Sequence, residues 1–422
     1  MREATPAIGR PLRGTIAVPG DKAIAHRAVI VAALASGRSR LAGFPPAGDP
    51  LATLRCLRAL GVMVETTADG VGIEGGGPKA PGGALDCGRS ATTMRLLAGA
   101  LAGRPLRATL TGDPQLLARP MDRVAGPLAA LGADVRTAAG GRPPIRIRGR
   151  DLRGATVHMD VPSAQVKSAI LLAGMSAAGT TTVVEPLPTR DHTERLLTWL
   201  GAPIRRDIHG ITVAPFDPPP FELRIPGDPS SAAFLLAAAA ILPGSDVRIR
   251  DVGVNPTRLG FIRTLHRMGA PVEVHVEAGA GPEPAGTIRV RHTPLRAITV
   301  GREDAAGAID ELPLLALVAT QAEGVTAIRG AAELRVKESD RIAGLSAGLR
   351  ALGAKIEEAR DGVTITGPTP LRGAAVDAMG DHRLAMTFAV AGLVADGPVE
   401  VQGIDRAADS FPGFLDAVRS LT

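Results

Sequence analysis

Hydrophobic and polar positions recur along this chain in two forms. Six apolar runs, at 22–37, 89–103, 163–179, 230–244, 310–324 and 381–397, each open on a few polar or charged residues and end at glycine. Their bodies (AVIVAALA, MRLLAGALA, AILLAGMSAA, AAFLLAAAAI, PLLALVATQA, LAMTFAVAGL) are apolar nearly all round, which predicts buried helices rather than surface ones. The terminal glycines are expected to close them in the left-handed conformation. A buried helix with its polar residues gathered at the N-terminus holds free N–H groups and a positive dipole end in one place, which suits anions. Six such ends brought together make a site for a multiply charged small molecule.

The second form is the string Leu-x-x-Leu/Met-Gly-Ala/Val at 57–62, 128–133, 197–202, 265–270 and 349–354. Its glycines, 61, 132, 201, 269 and 353, are 71, 69, 68 and 84 residues apart. Each string follows an amphipathic helical pattern and precedes a short β-branched run. The unit is therefore about 70 residues of α/β structure, with one buried helix, one exposed helix and several strands. A chain of 422 residues exceeds one ordinary core, so two domains of three units each are expected. The strand GTIAVPG precedes the first buried helix and FELRIPGD the fourth, while the Pro-dense stretch 215–220 continues neither helix nor central strand. The boundary is placed accordingly: 20–226 as one domain, 227–422 as the other with residues 1–19 folded back onto it. Polar helix ends of both are expected to face a cleft, with two chain crossings as a hinge.

Composition narrows the function. No long uninterrupted apolar stretch with membrane flanks occurs, and MREATPAIGR lacks an apolar signal core, so no membrane association is expected. Cys56 and Cys87 are too few for a disulfide framework or metal cluster, so a reducing cytoplasm and no metal or cofactor are expected. A net charge of +6 with scattered basic residues, 2% aromatics and no Tyr argues against nucleic acid. Only five of the 48 basic residues are Lys, namely 22, 79, 167, 337 and 355. Where Arg is the rule, Lys22 and Lys337, beside other charges at helix starts, point to a compact charge or a proton-transfer group.

Candidate chemistry gathers at those starts. Lys22 and Arg27 open the first run, Arg119 precedes Pro120 at a helix start, and Ser163, Gln165 and Lys167 open the third. Asp310 and Glu311 begin the fifth as a carboxylate pair. Arg335-Val-Lys-Glu-Ser-Asp-Arg341 packs five charges into seven residues, and Asp381-His382-Arg383 opens the sixth. Any one segment reads as capping acids and solvated bases. The same arrangement in every repeat reads as a site.

From 18 to 412 the chain resembles the 5-enolpyruvylshikimate-3-phosphate (EPSP) synthase family. The resemblance rests on Pro-Gly-Asp-Lys22, Arg119-Pro-Met, Ser163-Ala-Gln-Val-Lys-Ser-Ala, Arg190-Asp-His-Thr-Glu, Gly227-Asp-Pro-Ser-Ser, Asn255-Pro-Thr-Arg, Ile309-Asp-Glu-Leu-Pro, Arg335-Val-Lys-Glu-Ser-Asp-Arg-Ile and Asp381-His-Arg-Leu-Ala-Met. It implies two α/β domains, each of three βαβαββ repeats around buried parallel helices. The sister family, UDP-N-acetylglucosamine enolpyruvyl transferase, carries a reactive Cys before Arg-Pro; here that loop, TGDPQLLARPM, has none. By matching position, Arg27 is expected to hold the shikimate carboxylate. Ser163, Gln165 and Arg190 would surround the 3-phosphate, with Asp310 and Lys337 on ring hydroxyls. Lys22, Arg119, Arg341 and Arg383 would bind phosphoenolpyruvate (PEP), Glu338 and Asp310 would handle protons, and His382 completes the catalytic set.

Some positions depart from the family. Ala23 and Ala25 stand where it reads Ser, Arg89 and Ala91 where it reads Asn and Gly in Gly-Asn-Ala/Ser-Gly-Thr, and Asp409 where it reads Lys. The shikimate-phosphate residues are largely kept, and the substitutions fall on the enolpyruvyl side. The favoured expectation is accordingly a PEP-independent 1,4-elimination of phosphate from shikimate 3-phosphate, giving a cyclohexadiene carboxylate. In it Arg89 or Lys337 assists the departing phosphate, and Asp409 or Glu338 is the base. The alternative is ordinary carboxyvinyl transfer from PEP. A non-catalytic binding paralogue is the third reading.

Overall fold

Each of the six apolar runs forms a buried helix: Lys22–Leu34, Ala91–Ala102, Ala164–Gly174, Pro229–Ile241, Leu312–Ala319 and His382–Ala391. Asp21, Ser90, Ser163, Asp228 and Asp381 cap five of them through side-chain oxygens that accept backbone N–H groups of the first turn. In this computed structural model, which describes residues 2–4 and 9–422, the chain divides into two compact units. The first is Gly20–Ile225 with Ala280–Glu283. The second is the segment through Pro19 with Pro226–Gly279 and Pro284–Thr422.

Within each unit, three main sheets pack outside three buried helices, and in the first unit Leu152–Arg153 and Ala177–Ala178 add a short two-stranded parallel sheet. One repeat shows the pattern: Leu85–Asp86 pairs parallel with Arg107–Thr111 through the Ala91–Ala102 crossover, and the antiparallel strands Arg142–Arg148 and Asp134–Ala138 extend the sheet. The same order recurs as Thr156–His158, Thr181–Val184, Gly210–Val213, Ile204–Asp207. Two strands are exchanged between repeats distant in sequence. Arg13–Ile16 precedes the first buried helix yet pairs parallel with Asp246–Gly253 in the second unit. Glu222–Arg224 takes the corresponding place in the first, beside Arg38–Ala42. The last repeat has only Ala375–Asp377 and Glu400–Gln402, and Arg2–Ala4 adds the antiparallel strand.

Five of the six terminal glycines, 37, 179, 244, 324 and 397, take positive φ as expected, but none of them closes its helix. Gly103 caps its helix at φ −95°, and the helices of the other five runs stop three or more residues short of their terminal glycines. The ends of these apolar runs already belong to the turn or the next strand, as Gly324 does within Ala322–Ile328. Burial on all sides leaves no periodicity to mark where helix gives way to strand. The closing role belongs to glycines 61, 132, 201, 269 and 353, with φ between +77° and +98°. They follow the amphipathic helices Gly48–Ala59, Asp122–Ala130, His192–Trp199, Gly260–Arg267 and Arg341–Ala351. Each helix ends in the same pair of bonds, such as Gly61 N–H to Arg58 O (2.9 Å) and Val62 N–H to Leu57 O (3.0 Å). This Schellman geometry explains the fixed Leu-x-x-x-Gly-Ala/Val spacing.

The cores are built by small residues at close crossings. A Cβ on Gly99 would overlap the backbone of Ala169 in the third helix, and one on Gly348 would overlap the Phe388 ring. Among the described residues no helix is long and apolar enough to cross a membrane.

Candidate active site

In the first unit the starts of the three buried helices are tied together by side chains. Arg27, one turn into the first, donates from Nε to Thr193 Oγ1 (2.9 Å) and from Nη2 to Ser168 Oγ (2.8 Å) and Ala164 O (3.3 Å), both in the third. Its Nη1 donates to Ala23 O at 2.8 Å. Gln165, at the start of the third, donates to Thr92 Oγ1 of the second (2.8 Å) and accepts from Arg95 Nη1 (2.5 Å). Arg27 is only 3% exposed, and among the described residues its hydrogen-bond partners are hydroxyls and carbonyls, with no carboxylate in contact. Burial lowers its pKa to about 10 against the opposing fields of Glu194 and Asp21, while neighbouring Arg190 lowers it further. A buried cation ringed by neutral groups is prepared for an anion.

Around it, Lys22 Nζ lies 3.3 Å from Asp49, Arg119 is buried, and Ser163 caps the third helix. Arg89 lies just outside its helix, which Ser90 caps; its Nε is 3.2 Å from Asp113 and donates to Gln115 Oε1 at 2.8 Å. Behind this cluster His26 Nδ1, Thr53, Thr93 and Ser90 form a buried hydrogen-bonded chain with links of 2.6, 2.7 and 2.8 Å. Burial, reinforced by Lys22 and Arg27, holds the His26 imidazole well below its ordinary pKa. Lys167 is fully buried between Glu194 (2.7 Å) and Glu185 (3.1 Å), so this retained Lys is tied into an ion-pair network.

The second unit repeats the linkage with acids in place of hydroxyls. Arg341, 1% exposed, reaches Asp381 at 2.8 Å, Glu338 at 2.6 Å and Asp310 at 3.4 Å. Desolvation alone would lower its pKa, but the fields of Asp381, Glu338 and Asp310 outweigh it and raise the value. Asp310 also lies 3.5 Å from Lys337 and 3.8 Å from Arg383, so three cations surround one carboxylate. Arg383 is 3.5 Å from Glu311, and Glu311 accepts from Ser230 Oγ at the start of the fourth helix. Arg258 closes the set, donating to Ser230 Oγ and Asp228 Oδ1, both at 2.8 Å. His382 is buried at the start of its helix, and Asp409 is partly buried at the end of the 3-10 segment Ile404–Asp409.

The sequence-chosen residues thus form two groups, one in each unit. Lys22, Arg27, Arg89, Arg119, Ser163, Gln165 and Arg190 belong to the first; Asp310, Lys337, Glu338, Arg341, His382, Arg383 and Asp409 belong to the second. Ser168, Thr193, Arg95 and Arg258 were missed. Arg95 had a signal, an arginine inside an otherwise apolar run, whereas Ser168 and Thr193 look like ordinary helix residues until Arg27 reaches them across the core.

The fold is that of the enolpyruvyl transferases: the solved enolpyruvyl transferase NikO from Streptomyces tendae matches with a TM-score of 0.79 over 100% of this chain and 97% of that one, at 22% identity. The chain belongs to the EPSP synthase family. The family's sequence model, EPSP synthase (3-phosphoshikimate 1-carboxyvinyltransferase), matches residues 6–418. The 3-phosphoshikimate 1-carboxyvinyltransferase of Halorhodospira halophila is 49% identical over 430 residues, covering 98% of this chain and 95% of that protein. A solved EPSP synthase from Acinetobacter baumannii is 40% identical, with a TM-score of 0.87 over 100% of this chain and 98% of that one.

These likenesses overturn the expectation of PEP-independent elimination. Near-half identity over nearly the whole chain to a carboxyvinyltransferase favours the ordinary reaction over a new one built from a few substitutions. The local geometry supplies a reason in the same direction. Arg89, expected to receive departing phosphate, already pairs with Asp113 and Gln115, so the change rearranges a surface ion pair without adding an uncommitted cation.

Proposed function

We propose that this protein transfers the carboxyvinyl group of PEP to a ring hydroxyl of shikimate 3-phosphate, releasing inorganic phosphate. The observation that carries this reading is the pair Asp310 and Glu338, both held by buried Arg341 among the cations Lys337 and Arg383. The chemistry requires such a pair. The ring oxygen must bond to C2 of PEP, which becomes electrophilic only when C3 gains a proton. Loss of that proton from C3 then expels phosphate and restores the double bond. One proton leaves the hydroxyl and one shuttles on and off carbon, work for carboxylates whose ionisation is tuned by adjacent cations.

In this reading Arg27 takes the ring carboxylate, and Ser163, Gln165 and Arg190 take the 3-phosphate. Lys22, Arg119, Arg341 and Arg383 hold PEP, and Arg341 also positions both carboxylates. Asp310 and Lys337 contact ring hydroxyls, with Glu338 as the second proton-handling group and His382 completing the catalytic set; Asp409, a base only in the discarded elimination, has no role in this reading. We also place the enzyme in the cytoplasm, a reading supported by its two free, buried cysteines.

Steady-state kinetics with phosphate release as readout test this assignment. Arg27→Ala is expected to raise KM for shikimate 3-phosphate, Lys22→Ala to raise KM for PEP, and Glu338→Gln to lower kcat with both KM values little changed. Unchanged kinetics in all three would reject the proposed roles.

A further inference from the structure

The outer face of the sheet built from Leu85–Asp86, Arg107–Thr111, Arg142–Arg148 and Asp134–Ala138 carries charge that the protein leaves largely uncompensated. Strand alternation sends Ala108, Leu110, Val135, Ile145 and Ile147 to the core. It turns Arg107, Arg136, Arg146 and Arg148 outward. The register sets Arg107 directly opposite Arg148, and Arg136 directly opposite Arg146. Like charges so placed destabilise a sheet. Asp134 alone offsets them, accepting from Arg136 (2.8 Å) and Arg150 (3.0 Å). Among the described residues, the side chains of Arg107, Arg146 and Arg148 make no hydrogen bond or ion pair. They line an open cavity of about 500 Å³ together with Arg136, Asp134 and the Pro81, Gly82 and Gly83 backbone segment.

The sister repeats provide an internal comparison. Arg38 pairs with Glu65 and Arg40 lies 3.6 Å from Glu222 in the first repeat; Arg205 is 3.1 Å from Asp207 in the third. In the fourth, Arg289 reaches Asp246 at 2.6 Å and Arg291 reaches Glu273 at 3.1 Å. Those arginines meet carboxylates, although among the described residues Arg248 of the fourth repeat, directly opposite Arg289, does not. In the second repeat three arginines do not, and they share a cavity.

We propose that this cavity is a second anion site, binding a compact ligand with two or more phosphate or carboxylate groups. Guanidinium forks match both groups bidentately. Arg146 and Arg148 stand two residues apart on one strand, about 7 Å, which suits two anionic groups on one small molecule. No aromatic side chain lines the cavity, so base stacking is not part of the recognition. The open position makes binding salt-sensitive.

Titration calorimetry of the full chain with inorganic pyrophosphate, and separately with citrate, tests the proposal in wild type, R146A/R148A and R146K/R148K. Residues of the candidate active site are the same in all three, so anion binding there cancels from the comparison. A saturable component should appear in wild type, weaken by at least about tenfold in R146A/R148A, persist in part in the Lys variant, and fade with added salt. Pyrophosphate alone or both probes giving this pattern supports the site and identifies the ligand's groups. Identical binding by wild type and R146A/R148A, with circular dichroism and turnover unchanged, would overturn it, as would no saturable component for either probe.

Discussion

Two buried arginines, one in each unit, have opposite surroundings. Arg341 meets three carboxylates, whereas Arg27 meets hydroxyls and carbonyls. Removing Arg341 strands buried Asp381 with its charge unpaired, so Arg341→Ala should cost about 3–5 kcal/mol in urea denaturation. Arg27→Met should cost far less, because Ser168 Oγ already donates to Ala164 O and accepts from Thr193 Oγ1. Its effect should appear in KM for shikimate 3-phosphate. His26 makes a prediction about pH. Its pKa is depressed in the folded state, so below about pH 6.5 the unfolded chain takes up a proton that the folded chain refuses. Stability is therefore lost as pH falls, by up to about 1.4 kcal/mol per pH unit from this residue. Comparing denaturation at pH 7 and pH 5 in wild type and His26→Asn should show a smaller drop in the variant. An equal drop would mean that His26 titrates normally. Residue types at these positions were readable from the chain; their partners were not. Arg89 and Asp409 stand out against the family pattern, but sequence shows a lost side chain without showing what the new one touches. Arg89 turns out to be occupied by Asp113 and Gln115.

At the scale of elements, the buried helices were legible because an all-apolar run with a polar start has few other solutions. Their ends were not, since a buried helix and a buried strand share the same composition. The glycines separate accordingly into two kinds. Gly201, at φ +88° with open space around its Cβ position, is needed for its backbone conformation alone. Gly201→Ala should cost about 1–2 kcal/mol and leave turnover unchanged. Gly99 is needed for close approach to Ala169, beside the helix starts carrying Thr92, Arg95 and Gln165. Gly99→Ala must push the second and third helices apart, costing about 1–3 kcal/mol or more. It should also lower kcat/KM by disturbing the Gln165 contacts. Thermal denaturation with parallel kinetics distinguishes the two; equal effects on turnover would contradict the distinction.

At the scale of the whole molecule, the repeat alone makes the architecture visible, because five Leu-x-x-x-Gly strings at near-constant spacing require five similar helix ends. The exchanged strands Arg13–Ile16 and Glu222–Arg224 were suggested by their matching sequences, GTIAVPG and FELRIPGD. The reaction is not legible in the few altered side chains, whose partners the sequence hides, but follows from the scaffold retained over the whole chain. Its direct test is mass spectrometry of the product from shikimate 3-phosphate, with and without PEP, alongside phosphate release. Carboxyvinyl transfer predicts no phosphate from shikimate 3-phosphate alone and, with PEP, one phosphate released for each enol ether formed. Phosphate released without PEP, with a cyclohexadiene carboxylate as the product, would contradict it.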